Sequence, residues 1–333
     1  MILHPAIMGL LVCETLSLLV LLCASILGWR IAAGWDISST SSRQLEREQR
    51  AALVSVAVGF AMAFQILSLF LFVEAADRMH SLFTGAMCAA GTLHVNAFGY
   101  PALLVKIAAV LLCGTWLIIN HADGRSPDYP LLRIKFRLLP PAALAAAAGG
   151  ILFSIFATKL DPEVITSCCG VLFGGEESAL SKGLPKLGPG GAQIAFFTLV
   201  ALTLAAGVLH VKTHKGAMVY GAASLMMFMT SLAAILSFIS PYYYQLPTHH
   251  CPFCMLQPEY FRSGYLLYVA IFAGGIFGAG TGVLALVARK NSIRESARGI
   301  QGRLCVLSMT AFAVVAAMAA WPLVFSTFRM GGY

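Results

Sequence analysis

Eight runs of about twenty mostly apolar residues organise this chain, and they leave few folds open to it. Their approximate bounds are 6–30, 51–74, 101–120, 139–158, 192–211, 217–240, 264–288 and 304–325. At ~1.5 Å per residue, each can cross a hydrocarbon core of ~30 Å. Backbone in lipid finds no water to bond, so each run must satisfy its own hydrogen bonds as a helix. The composition agrees: 59% of the 333 residues are hydrophobic and 11% are charged, against ~25% charged in a soluble domain. The expectation is an all-α polytopic membrane protein, a single transmembrane domain over 1–333, with about eight helices arranged as helical hairpins. The first run is too long for a signal peptide's apolar core and lacks a basic start or small-residue cleavage site, so it counts as a helix. The longest connection, about 159–191, is rich in Gly and Pro and reads as an ordered loop or a short re-entrant piece.

Charge gives the expected orientation. Arg30, Arg43, Arg47, Arg50, Arg125, Arg133, Lys135, Arg137, Lys212, Lys215, Arg289, Lys290, Arg294, Arg298 and Arg303 crowd four alternate connections. They are fifteen of the 22 Lys and Arg; the other connections and the tail hold Arg78, Lys159, Lys182, Lys186, Arg262 and Arg329. Basic connections stay cytoplasmic, so both termini are expected on the non-cytoplasmic side of a multi-pass protein of the cell inner membrane. The net charge of +8 is then a topology signal that calls for a lipid bilayer as partner and no nucleic acid.

The cysteines share that asymmetry. Cys13, Cys23, Cys113 and Cys305 fall in or at the ends of spans, where a thiol is an ordinary small hydrophobe. Cys88, Cys168, Cys169, Cys251 and Cys254 all fall in the three connections expected outside, where disulfides can persist. In "THHCPFC", Cys251 and Cys254 have the C-x-x-C spacing of redox dithiols, with His249 and His250 beside them as a cation that lowers a thiol pKa or as metal ligands. The same spacing serves half of a metal clamp or a local staple. A vicinal disulfide between Cys168 and Cys169 closes only a strained ring, so separate partners are the simpler reading. Cys88 has Met87 next to it and His80 and His94 within eight residues, a soft or borderline ligand set that matches no zinc spacing.

Charges inside spans are costly and mark candidate sites. Glu14 and Lys106 lie near the outer ends of the first and third runs, where they can pair, line a quinone head-group site, or stand apart with Lys106 snorkelling to the interface and Glu14 buried neutral. Gln65, Glu74 and Asp77 extend an acidic outer rim. Gly274, Gly278 and Gly282 form a stripe that suits close helix packing, and Tyr242, Tyr243 and Tyr244 sit where an aromatic belt belongs. The chain has no GxxxxGK[ST] phosphate loop and no C-x-x-C-H haem motif.

Three functions remain on sequence grounds. One is thiol-disulfide redox or electron transfer at an outside cysteine cluster, with a quinone as cofactor and a periplasmic thioredoxin-like or cytochrome partner. Cys251 would attack and Cys254 resolve, with Cys168, Cys169 and Cys88 as relays. The second is binding or transport of a soft metal by the same cysteines with His249, His250, His80 and His94. The third is a non-catalytic subunit among the membrane subunits of a larger complex.

Overall fold

The computed structural model describes residues 4–36, 39, 41–126, 128–166, 189–288 and 291–328. Among the described residues all regular secondary structure is helical, without strands. The helices are α1 (Pro5–Ala33), α2 (Ser42–Arg78), a short α3 (Ala89–His94), α4 (Gly99–Asp123), α5 (Leu132–Thr158), α6 (Pro189–Thr213), α7 (Ala217–Ala234), α8 (Ser240–Tyr244), α9 (Ser263–Val287) and α10 (Asn291–Phe325). A π turn over Ile235–Ile239 joins α7 to α8. Among the described residues, eight helical stretches are long and apolar enough to cross a membrane, the joined α7–α8 being one.

Two helices outrun their apolar windows. α2 begins with the polar turns "SRQLEREQR", which the Ser41 hydroxyl caps by accepting the Gln44 N–H (3.3 Å). An exposed Arg50–Glu46 pair four residues apart supports the same turns. The α10 helix likewise starts at Asn291, in a polar stretch well ahead of the apolar run at about 304–325. Hydropathy marks where a helix meets lipid, whereas capping and ion pairs set where it ends.

The chain forms two compact units. One comprises Met1–Ala75, Asn96–Leu160 and Val283–Gln301. Its core joins α1, α2, α4 and α5 through Leu21, Val58, Met62, Cys113, Trp116 and Phe136. Gly28 makes that packing possible, because a Cβ there would sit 2.6 Å from the Phe136 ring. Two buried ion pairs lie among this unit's described residues. Lys106 on α4 meets the Glu14 carboxylate of α1 and donates to Ser68 Oγ (3.2 Å). Gln65 donates to the other Glu14 oxygen (3.0 Å) and to Ser17 Oγ (2.8 Å). Gln65 therefore belongs to the pair and not to an acidic rim. The second pair is Lys135–Asp123 (2.8 Å), so Lys135 is a buried side chain of α5 and not a loop charge.

The other unit comprises Ala76–Val95, Asp161–Gly282 and Gly302–Tyr333. Here the glycine stripe packs as its spacing suggested: a Cβ on Gly221 of α7 would lie 2.7 Å from Gly282 Cα of α9. The π turn has a cause in the sequence. Ser240 N–H bonds Ile235 O, five residues back, and Pro241 has no N–H to give Leu236 O in that register. The imidazole of His250 fills the gap, donating from Nδ1 to Leu236 O (2.7 Å). A proline in a span thus creates the acceptor that holds the start of the C-x-x-C loop.

Candidate metal centre

Two segments of the second unit build the site. The first runs from the end of α2 to α3. His80–Leu82 forms a single 3-10 turn, and Gly85 has φ +87°, a conformation that favours glycine. A side chain on Gly85 would also collide with Thr166, whose N–H bonds Thr84 O (2.9 Å). Cys88 follows as the residue preceding α3, in an extended conformation (φ −162°, ψ −177°). Asp77 Oδ1 accepts the Ala89 N–H (3.0 Å), fixing the helix start next to the thiol.

The second segment connects α8 to α9. Gln245 ends α8 in the left-handed region. Two tyrosines then pin the loop carbonyls: Tyr244 donates to Cys251 O and Tyr268 to Pro252 O, each at 2.7 Å. Phe253 N–H points at Cys251 Sγ (3.4 Å), and Cys254 opens a 3-10 turn over Cys254–Leu256. Gln257 Nε2 donates to Met87 O (2.6 Å), tying this loop to the residue before Cys88.

The result is a cluster of three thiols. The Sγ atoms of Cys88, Cys251 and Cys254 all lie within 4.8 Å of one another, and Cys88 and Cys251 are 3.4 Å apart. Their exposures are 0%, 0% and 6%, too little for a partner protein to reach a sulfur in line. A metal with thiolate bonds of ~2.3 Å at tetrahedral angles would separate its sulfurs by about 3.8 Å, inside this range. His249 Nε2 contacts Cys254 Sγ at 3.4 Å, and its ring packs edge-on against Tyr244 with centroids 4.7 Å apart. Burial lowers the His249 pKa, reinforced by His250 and opposed by Cys88. The ring is thereby favoured as a neutral donor or ligand over an activating cation.

The other sequence candidates lie elsewhere. His250 is committed to Leu236 O. His80 Nδ1 bonds Asp77 O, and His94 is exposed at the end of α3. Glu14 and Lys106 satisfy each other with Gln65, Ser17 and Ser68, in the other unit. Cys168 and Cys169 lie outside the described residues. Sequence reasoning missed Asp77, Tyr244, Tyr268 and Gln257 as the residues that position the cluster. Their only sequence signal was closeness to cysteines, since an aromatic belt or an acidic rim explains the same letters.

Among its described residues the protein has eight membrane-length apolar helices and a buried three-cysteine group. Comparison of the chain with known protein families, curated proteins and solved structures finds no match.

Proposed function

We propose that Cys88, Cys251 and Cys254 bind one soft metal ion as thiolates in a multi-pass inner-membrane protein, with His249 hydrogen-bonded to Cys254 or completing the coordination. The observation that carries this is the mutual approach of three buried sulfurs within 4.8 Å from two segments distant in sequence. Three thiolates left together in a dry site would repel, and a cation between them removes that cost. Thiolate sets select copper(I), zinc or iron–sulfur chemistry over magnesium or calcium. A buried, closed ligand set suits a structural or electron-transfer centre better than a hydrolytic one, which keeps an open position. The expected orientation places this cluster on the periplasmic side, with a cytochrome or other membrane subunits as electron partners.

A second reading has one observation in its favour. Cys88 Sγ and Cys251 Sγ lie 3.4 Å apart, so a quinone acting as two-electron oxidant could join them in a disulfide while it takes up their two protons and two electrons. Their burial argues against exchange with a thioredoxin-like protein.

Elemental analysis of the purified protein, loaded anaerobically with copper(I) or zinc, separates the two. About one ion per chain is expected, with retention against a chelator falling at least ~10-fold in Cys88→Ser, Cys251→Ser and Cys254→Ser alike. Cys13→Ser, an exposed thiol of α1, should retain metal normally. Stoichiometry unaffected by the three substitutions, or a Cys88–Cys251 disulfide in place of metal throughout, would sink the metal reading.

A further inference from the structure

The geometry points to a binding cleft for a quinone-class ligand, a flat redox-active ring with carbonyl acceptors, in the same unit as the cysteine cluster. The cleft has a volume of about 580 Å³ and lies where α8 and α10 end and α9 begins. Tyr242, Tyr243, Tyr260, Phe261, Trp321 and Phe325 line it. Six aromatic rings around one opening offer stacking faces to a flat ring. Trp321 and Phe325, 63% and 68% exposed at the end of an apolar span, leave the cleft open sideways to lipid. A quinone carried in a bilayer would enter from that direction.

Two further observations choose this ligand over a lipid tail. Ser263 lines the cleft, and its buried Oγ has no hydrogen-bond partner among the described residues. A buried unsatisfied hydroxyl is costly, and rotation of the Ser263 side chain into the cleft would let a ligand carbonyl accept its proton. A quaternary-ammonium group, which the aromatic lining and Glu259 would also attract, has no acceptor of its own, but the phosphate and ester oxygens of a choline lipid do. The ring series behind the cleft is what favours a quinone over such a lipid. The second observation is the wall behind the cleft. Tyr260 packs on Tyr244 with centroids 4.8 Å apart, Tyr244 packs on His249 at 4.7 Å, and His249 touches Cys254 Sγ at 3.4 Å. An unbroken series of three rings thus links the cleft to the sulfurs. The inference goes beyond the metal reading and does not depend on it.

Trp321 provides the test, because a quinone stacked in the cleft quenches its fluorescence. Titration of the full chain in detergent with ubiquinone-1 should give saturable quenching. That saturable part should vanish in Trp321→Phe, which keeps the other three tryptophans. Ala317→Phe, which fills the cleft from α10, should weaken binding at least ten-fold. Ser263→Ala should weaken it roughly five-fold through loss of one hydrogen bond. An unchanged helical circular-dichroism spectrum and size-exclusion elution in each variant would show that the fold survives, whether or not the cysteine cluster holds metal. Quenching that rises linearly without saturation, persists in Ala317→Phe, or is displaced equally by phosphatidylcholine would overturn the assignment.

Discussion

His249 and His250 are neighbours with different tasks, because the backbone between them turns one ring to the sulfurs and the other to a span. His249 contacts Cys254 Sγ, while His250 donates to Leu236 O. Groups that hydrogen-bond a metal ligand typically change affinity 10–100-fold when removed. We therefore expect His249→Ala to weaken metal retention by about that factor in a chelator competition, and His250→Ala to act mainly on stability. Equal effects of the two on metal affinity would refute this division. The buried ion pair allows a second residue-scale prediction. Lys106→Met leaves the Glu14 carboxylate buried beside Gln65 without its cation, which costs about 3–5 kcal/mol. Adding Glu14→Gln removes the stranded charge and should restore most of the thermal stability in detergent. A double variant no more stable than Lys106→Met would contradict the pairing. From the sequence, matching depth made pairing of Glu14 and Lys106 one reading among three, and the structure shows the pair. The Cys88–Cys251 proximity was legible only as a cluster of loops, since spacing along a chain does not say which sulfurs meet.

At the scale of elements, the apolar runs announced eight helices because lipid allows a spanning chain no other hydrogen-bonding solution. Their ends were less legible. α2 extends to Ser42 through a capping serine and an Arg50–Glu46 pair, neither of which hydropathy records. The π turn was missed for another reason: a proline near a span's end reads as a stop, yet here the helix continues past it by shifting register. That shift makes a double-mutant test. Pro241→Ala supplies an N–H that can return the turn to regular helix, so Leu236 O would no longer depend on His250. His250→Ala should cost about 1–3 kcal/mol with Pro241 in place. In the Pro241→Ala background it should cost less by at least ~0.5 kcal/mol. Strict additivity of the two in thermal unfolding would show that the imidazole is not replacing a missing backbone donor.

For the whole molecule the open quantity is orientation, and it decides the chemistry of the thiols. Lys135 is neutralised in a buried pair with Asp123 and should be discounted from the fifteen basic residues of the expected cytoplasmic side. The remaining fourteen still outnumber the six opposite them. We expect a reporter inserted at Gly216, in the exposed turn between α6 and α7, to score cytoplasmic. One at Leu246, 52% exposed just after α8, should score periplasmic. Span Ala217–Tyr244 separates the two positions, so a crossing helix requires opposite results. If the Leu246 side is periplasmic, Cys88 and Cys251 stand 3.4 Å apart in an oxidising compartment, where close thiols are readily joined. A bound metal would keep them reduced by occupying both sulfurs. Cells starved of copper and zinc should therefore accumulate a Cys88–Cys251 disulfide, detectable by differential alkylation and mass spectrometry, and metal-replete cells should not. Reporters reversed in sign would move the cluster to the reducing side, and the metal would then no longer be needed to protect the thiols. With the orientation as expected, thiols that stay reduced under starvation would show that something other than metal guards them.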